Sequence, residues 1–329
     1  MKKILFITSQ YRTGERIYPI LPYLCEEFEV DLLKVYQMKS SHKWAGDRDL
    51  RKDFDRKYGH LFTRVIKEHE YDGDYDLIIS DDNRDSVKTK LGQYYRGRKG
   101  TLVSFEHGNN DKNYFSRGYQ KVFDKCFVFG SKDVFHPSTL AGGIPANDKL
   151  KEYQNLEKKH ILIVVNFLGN RTSPFKVNFN QHLFEKLDLK NIQNTLNLPF
   201  LFKLKSRADD GGYVRNLEYL RNTVKHVKFD IAVDVEDDNK LIAESGYVIG
   251  APSTLSFKPI QLGIPTVLIK RSGQHGSFYD FPGLLSHNDD ILSFLQTKPN
   301  YTDWVEKSIE GGTTFTSTQN VVNKIKELL

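Results

Sequence analysis

The sequence predicts an α/β protein made of two consecutive doubly wound, Rossmann-like domains, and three observations carry that expectation. Short, wholly apolar runs such as Ile4–Ile7, Leu77–Ile79 and Ile161–Val165 alternate with longer charged segments of helical length. Strands of that kind are buried on both faces, which is the situation of a parallel sheet covered by helices above and below. The alternation breaks off in a polar stretch at about 142–158, containing Gly142, Gly143 and Pro145, and then starts again. A chain of 329 residues is also long for one core and suits two domains of about 150 residues. The expected division is residues 1–150 and 151–329, with the C-terminal helices packing back on the first domain.

Each element follows from its local pattern. Lys3–Thr8 is the first buried strand, Arg16–Phe28 an amphipathic helix and Val30–Tyr36 the second strand. A long charged helix at about 44–70 leads to strand Asp76–Ser80. A helix at about 84–96 precedes strands Thr101–Phe105 and Cys126–Phe129. Beyond the polar stretch, His160–Val165 opens the second set, followed by helix Asn180–Leu196, strand Phe200–Leu204, helix Tyr213–His226 and strand Phe229–Val233. A short helix near 239–244, strand Tyr247–Ile249 and strand Thr266–Ile269 come next. Helices at about 289–297, 301–309 and 317–329 complete the chain.

Composition narrows the function. Apolar residues make up 39% and charged residues 27%, ordinary for a globular enzyme. No run approaches the roughly 18 apolar residues that cross a bilayer, and the four-residue apolar run after Lys3 is too short for a secretory leader. Two cysteines, Cys25 and Cys126, make no disulfide framework and fit a reducing, cytoplasmic setting. The net charge of +6 suits an anionic substrate without selecting one. The glycine-rich stretches match neither G-x-x-x-x-G-K-[ST] nor G-x-G-x-x-G, so P-loop and dinucleotide readings are weak.

The most informative stretch is 245–271. A strand runs into Gly250-Ala251-Pro252, a helix opens at Ser253-Thr254, and Gly263 and Pro265 precede the next strand. Hydroxyl residues cap helix starts, and the same N-terminus attracts phosphate. This pattern resembles the donor-binding part of GT-B glycosyltransferases, closest to the teichoic-acid-type polyol-phosphate and polysaccharide transferases. The resemblance implies a GT-B architecture with an interdomain cleft, an acceptor domain first and a nucleotide-sugar donor domain second. It also implies that Ser253 and Thr254 hold the donor's phosphates.

Loops after strands are where such folds place chemistry. Asn166, Gly169 and Arg171 follow the first strand of the second domain, and a guanidinium there suits a diphosphate. The next strand ends in Lys203, Lys205 and Arg207, a basic group that favours an anionic donor; teichoic-type relatives usually carry His-Pro where this chain has Lys205-Ser206. In the first domain, Glu106-His107-Gly108 resembles the His-Gly element whose His is the catalytic base in those transferases. An imidazole titrates near working pH and can take the acceptor hydroxyl's proton. Glu106 or Asp111 could orient the ring or act instead, and Asp82 is the competing base. Arg12 and Gly14, after the first strand, are placed to contact the acceptor.

Asp72-Gly73-Asp74 and Asp74-Tyr75-Asp76 match a metal-binding D-x-D pattern, but they precede a strand and read as solvated turns. Asp234–Asp238 follows a strand without suggesting a metal. Expected, then, is a metal-independent transferase using a nucleotide-diphosphate sugar, UDP first, with no cofactor. The acceptor is a glycan or, given the basic, Tyr-containing stretch from Arg84 to Lys99, hydroxymethylated duplex DNA. Alternatives are polyol-phosphate transfer, nucleotide-sugar 2-epimerisation in the same fold, and a non-catalytic nucleotide- or nucleic-acid-binding module.

Overall fold

The computed structural model describes residues 1–8, 11–35, 46–81, 98–106, 123–165, 187–204, 217–218, 220–232, 235, 237–270, 276–286 and 288–329. The chain divides into two units, Met1–Asp148 with Val305–Leu329, and Lys149–Trp304.

The first unit holds a parallel seven-stranded sheet: β1 Lys3–Thr8, β2 Glu29–Lys34, β3 Arg64–Ile66, β4 Leu77–Ser80, β5 Thr101–Phe105, β6 Lys125–Val128 and β7 Thr139–Ala141. Its order is β3-β2-β1-β4-β5-β6-β7. Winding therefore reverses between β1 and β4. Successive residues of β1 feed opposite faces: Ile4 and Phe6 join a core with Leu77 and Val103, while Leu5 and Ile7 join Ile78 and Leu102 on the other side. This is the physical content of an all-apolar strand.

In the N-terminal part of this unit the described helices are α1 Tyr11–Gly14, α2 Leu21–Glu27 and α3 Gly46–Tyr58. The expected helix Arg16–Phe28 is shorter than its pattern: a 3-10 turn, Tyr18–Ile20, leads into α2. Pro19 and Pro22 stand in the first turns of these elements, where a missing N–H costs nothing. The expected charged helix at 44–70 also stops early. It ends at Tyr58, and Arg64–Ile66 is instead an edge strand paired with β2. Only Ile66 of those three residues is buried, so no alternation was available to reveal the strand. The short β7 went unrecognised because its three residues are too few to show a period.

The second unit holds a parallel six-stranded sheet: β8 His160–Val165, β9 Phe200–Leu204, β10 Phe229–Ala232, β11 Ser245–Gly250, β12 Thr266–Ile269 and the two-residue β13 Leu284–Leu285, which the sequence did not suggest. The order β10-β9-β8-β11-β12-β13 reverses between β8 and β11. Ile161, Ile163 and Val165 pack on one face with Phe200, Phe202 and Val267, and Leu162 and Val164 pack on the other with Ile242 and Ile264. Among the described residues its helices are α4 Leu189–Leu196, α5 Asp238–Ala243, α6 Phe257–Gln261 and α7 Ile291–Gln296, and α8 Thr302–Ser308 carries the chain from this unit back into the first.

The last helix, α9 Ser317–Glu327, packs Val321, Val322 and Ile325 into the core beneath β1. Asp148 fastens its start, accepting the N–H of Ser317 at 3.0 Å and of Thr318 at 2.7 Å, a cap supplied from elsewhere in the unit. Gly143 makes that approach possible. Its φ is +78°, and a Cβ would lie 2.2 Å from the Glu310 carbonyl oxygen and the Ser317 hydroxyl. The expected helix at 84–96 lies outside the described residues, as do the early part of Asn180–Leu196 and of Tyr213–His226.

Candidate functional site

Ligands in open parallel sheets sit beyond the carboxyl ends of the strands, where winding reverses. In the first unit that position is occupied by Thr8, at the end of β1, and Asp81, just after β4. Asp81 is fully buried and accepts hydrogen bonds from the Thr8 hydroxyl at 2.7 Å and the Tyr18 phenol at 3.3 Å. Burial, and next the Asp81 carboxylate, hold the Tyr18 phenol well above the ordinary tyrosine pKa. Gly14 belongs to this arrangement. A Cβ on it would come within 2.3 Å of the Tyr18 hydroxyl, so its missing side chain gives the phenol its seat. Sequence reasoning singled out Gly14 for acceptor contact and the run Asp81-Asp82-Asn83 for the competing base, with Asp82 in that role, and did not notice Thr8 or Tyr18. A Thr ending one central strand and an Asp ending the next were the available signal.

Glu106 follows β5 and is 4% exposed. Its N–H donates to the Phe127 carbonyl at 2.8 Å, and its Oε2 accepts the Phe129 N–H at 3.1 Å. The carboxylate thus braces the end of β6, and the Arg16 guanidinium lies 5.8 Å over the Phe129 ring. Arg12 is placed on α1. His107, Asp111 and Asp82 lie outside the described residues.

In the second unit, Gly250 ends β11 so close to β8 that a Cβ would meet the Val164 Cβ at 3.1 Å. The chain then turns through Ala251 and Pro252 to Ser253, and helical turns run from Thr254 through α6. The structure corrects one local expectation. Ser253 makes no side-chain cap bond; its hydroxyl pairs with that of Ser256 at 3.1 Å, and Ser256 donates to the Ala251 carbonyl at 3.1 Å. The two hydroxyls tie the turn to itself, so they do not occupy the N–H groups that a capping Ser would take. Thr254 is half-buried at the same start.

A cluster of charged and amide groups lies at the carboxyl ends of β9 and β10. Lys203 donates to Asp238 at 2.7 Å, its side chain 17% exposed. Asp237 caps α5 by accepting the N–H of Asn239 at 2.8 Å and of Lys240 at 3.2 Å, and it also takes the Tyr153 hydroxyl. Burial pushes the Asp237 carboxyl upward, but these hydrogen bonds outweigh it and leave the pKa below the usual carboxylate value. Lys258, on α6, donates to Asn239 Oδ1 at 2.6 Å. Asn166, Gly169, Arg171, Lys205 and Arg207 lie outside the described residues.

The D-x-D acids have structural partners at the opposite end of the first sheet. Asp76 accepts the Lys3 N–H and pairs with Lys2, Asp74 pairs with Lys99, and Asp72 closes a turn onto the Asp74 N–H. Of the basic stretch 84–99, the described members Arg98 and Lys99 are paired with Asp124 and Asp74.

Whole-chain likeness to known structures bears on this arrangement. The UDP-GlcNAc 2-epimerase of Neisseria meningitidis bound to UDP-GlcNAc superposes with a TM-score of 0.62 at 12% identity, over 99% of this chain and 100% of that one. The Methanocaldococcus jannaschii UDP-GlcNAc 2-epimerase, solved with UDP-GlcNAc and UDP, gives 0.60 at 9% identity, over 99% of each chain. Acinetobacter baumannii MurG gives 0.55 at 12%, over 99% and 100%. At these identities the likeness is one of fold. The chain has the GT-B-type fold of two Rossmann-like units.

No protein-family model matches the sequence. One curated relative, the ATP-dependent dethiobiotin synthetase BioD of Brachyspira hyodysenteriae, is 29% identical over 137 residues, 37% of this chain, and the match spans 58% of that relative's length. That partial match does not define a family for this chain, which lacks the G-x-x-x-x-G-K-[ST] phosphate loop.

Proposed function

We propose that this chain is a nucleotide-sugar enzyme that moves a sugar from a nucleotide-diphosphate donor, UDP-linked first, to a hydroxyl acceptor without a catalytic metal. The observation that carries the reading is the turn Gly250–Ser253 at the winding reversal of the second sheet. It delivers a helix start whose leading hydroxyl is turned away from the backbone N–H groups, which leaves that end suited to a phosphate. Whole-length likeness to structures solved with UDP-GlcNAc and UDP supports the same donor class.

In this reading the second unit binds the donor through Ser253 and Thr254, with Arg171 and Lys205 completing the diphosphate contacts. The first unit binds the acceptor and supplies the base, His107 first and Asp82 second. Glu106 holds its strand end steady and orients the base. Positive groups and backbone N–H donors stabilise the leaving diphosphate.

A second reading, 2-epimerisation of the donor itself, is favoured by the TM-scores of 0.60 and 0.62 with 2-epimerases against 0.55 with MurG. Incubating UDP-sugars with the chain alone and with a panel of glycan acceptors decides between them. Sugar transfer that persists in chelator supports the first reading. An epimer formed without acceptor supports the second, and absence of UDP binding refutes both. An arm with hydroxymethylated duplex DNA at about 50 and 200 mM salt tests the nucleic-acid acceptor, since phosphate contacts weaken steeply over that range.

A further inference from the structure

We propose that Tyr18 is the positioning residue of the acceptor end: its phenol fixes α1, on which Arg12 stands, against the end of β4, from which the chain continues to Asp82. The proposal rests on the reading above that the first unit receives the acceptor. Tyr18 is 2% exposed, and its hydroxyl meets both strand ends at the winding reversal, the Thr8 hydroxyl at 3.0 Å and Asp81 Oδ2 at 3.3 Å. The same hydroxyl touches α1. A Cβ on Gly14 would fall 2.3 Å from the phenol oxygen and 2.4 Å from Cζ. The helix and the β4 end are thus linked through a single hydroxyl group.

The backbone of Gly14 does not itself call for glycine, because the residue is helical and its φ is not positive. Its missing side chain serves the contact with the phenol. The ring has no room to swing aside, since Phe54, Tyr58 and Phe6 surround it at centroid distances of 4.6, 5.8 and 6.2 Å. Tyr11, at the other end of α1, packs on the same Phe54 at 5.4 Å, so α1 rests on this aromatic group at both ends. Asp81 is fully buried and works through what it holds. It has contacts beyond Thr8 and Tyr18, so loss of the phenol leaves it seated; what is lost is its tie to α1. An acceptor held from α1 and deprotonated from the β4 side depends on that spacing, and a displacement of about 1 Å can cost about a hundredfold in rate.

The test is steady-state turnover of UDP-GlcNAc by the full chain with the most active acceptor of a glycan panel. UDP affinity is measured by calorimetry and folding by thermal unfolding. Gly14→Ala drives a methyl group against the phenol and should lower kcat/KM for the acceptor about 10- to 100-fold, with UDP affinity and the KM for UDP-GlcNAc unchanged. Tyr18→Phe keeps the ring and loses the tie, and should lower acceptor kcat/KM by about tenfold. Tyr18→Leu makes room for the added methyl, so Gly14→Ala combined with Tyr18→Leu should be no worse than Tyr18→Leu alone, the non-additivity of groups in contact. Ile325→Val thins the same core beneath β1 and should lower Tm with the kinetics unchanged, which separates positioning from stability.

Parental acceptor kinetics in a folded Gly14→Ala variant overturn the proposal and leave the transfer reading standing. Losses that simply add in the double variant, or an equal fall in UDP affinity, do the same. Ile325→Val losing acceptor turnover as Tyr18→Phe does would reduce the role of Tyr18 to stability. An epimer formed without acceptor overturns the proposal together with the transfer reading, and so does a parent chain that neither binds UDP nor turns over UDP-GlcNAc.

Discussion

Gly263 isolates one physical effect. It follows α6 with φ +67°, and nothing lies within 4 Å of the position a Cβ would take. The Ile264 N–H reaches the Pro259 carbonyl at 2.9 Å and the Gly263 N–H reaches that of Ile260 at 3.0 Å, the paired bonds by which a left-handed residue closes a helix. Gly263→Ala therefore removes no contact and creates no clash. Its cost is the left-handed backbone, about 1–2 kcal/mol for an L-residue, reduced by about 0.4–1 kcal/mol because alanine restricts the unfolded chain. The net loss is about 1 kcal/mol, or about 2–4 °C in Tm for a domain of this size. Urea unfolding followed by Trp304 fluorescence measures it, because that indole stacks 5.9 Å from Phe257 of the same helix. Gly263→Asn should lose less, since asparagine tolerates this conformation. An alanine variant as stable as the parent, or one that loses more than about 3 kcal/mol, would refute the reasoning.

Three further outcomes are expected. Tyr301 is buried, accepts the Thr266 N–H at 2.9 Å and donates to its carbonyl at 3.1 Å, and burial pushes its phenol up to about 12. Tyr301→Phe leaves both backbone groups unpaired and should cost about 1–3 kcal/mol by urea unfolding. Tyr18→Phe should cost about 1 kcal/mol, because Thr8 still serves Asp81, whereas Asp81→Ala should cost more; equal losses would disprove the shared network. His160 touches Ser245 Oγ at 3.0 Å and the Leu241 carbonyl at 3.2 Å, and burial lowers its pKa below the usual value. Its contribution to stability is present above the unfolded value of about 6.5 and is lost as pH falls through that value toward the folded pKa. His160→Gln should flatten that acid limb of a Tm-against-pH curve.

The sequence by itself determined the sheet strands and the places where the chain turns. Lys3–Thr8, Thr101–Phe105, His160–Val165, Phe200–Leu204 and Thr266–Ile269 were legible to the residue, because a strand covered by helices on both faces is apolar over most of its length. Gly263 and Pro265 marked the end of α6 because few residues other than glycine take its backbone angle without strain. Three short strands were not legible: β3, β7 and β13 have two or three residues each, too few to show any period, and their pairing depends on neighbours already in place.

The candidate site was legible only where a backbone feature announced it, as at Gly250–Thr254. Tertiary structure decided which groups meet. Asp81 with Thr8 and Tyr18, Lys203 with Asp238, and Lys258 with Asn239 are joined across 10 to 73, 35 and 19 positions of chain. Local pattern cannot encode these pairs, because a side chain's partner is set by which strands lie side by side. It likewise could not tell that Ser253 would bond to Ser256 and not to the backbone beside it, since both serve a hydroxyl equally well until packing of the Gly250 turn on Val164 fixes the geometry.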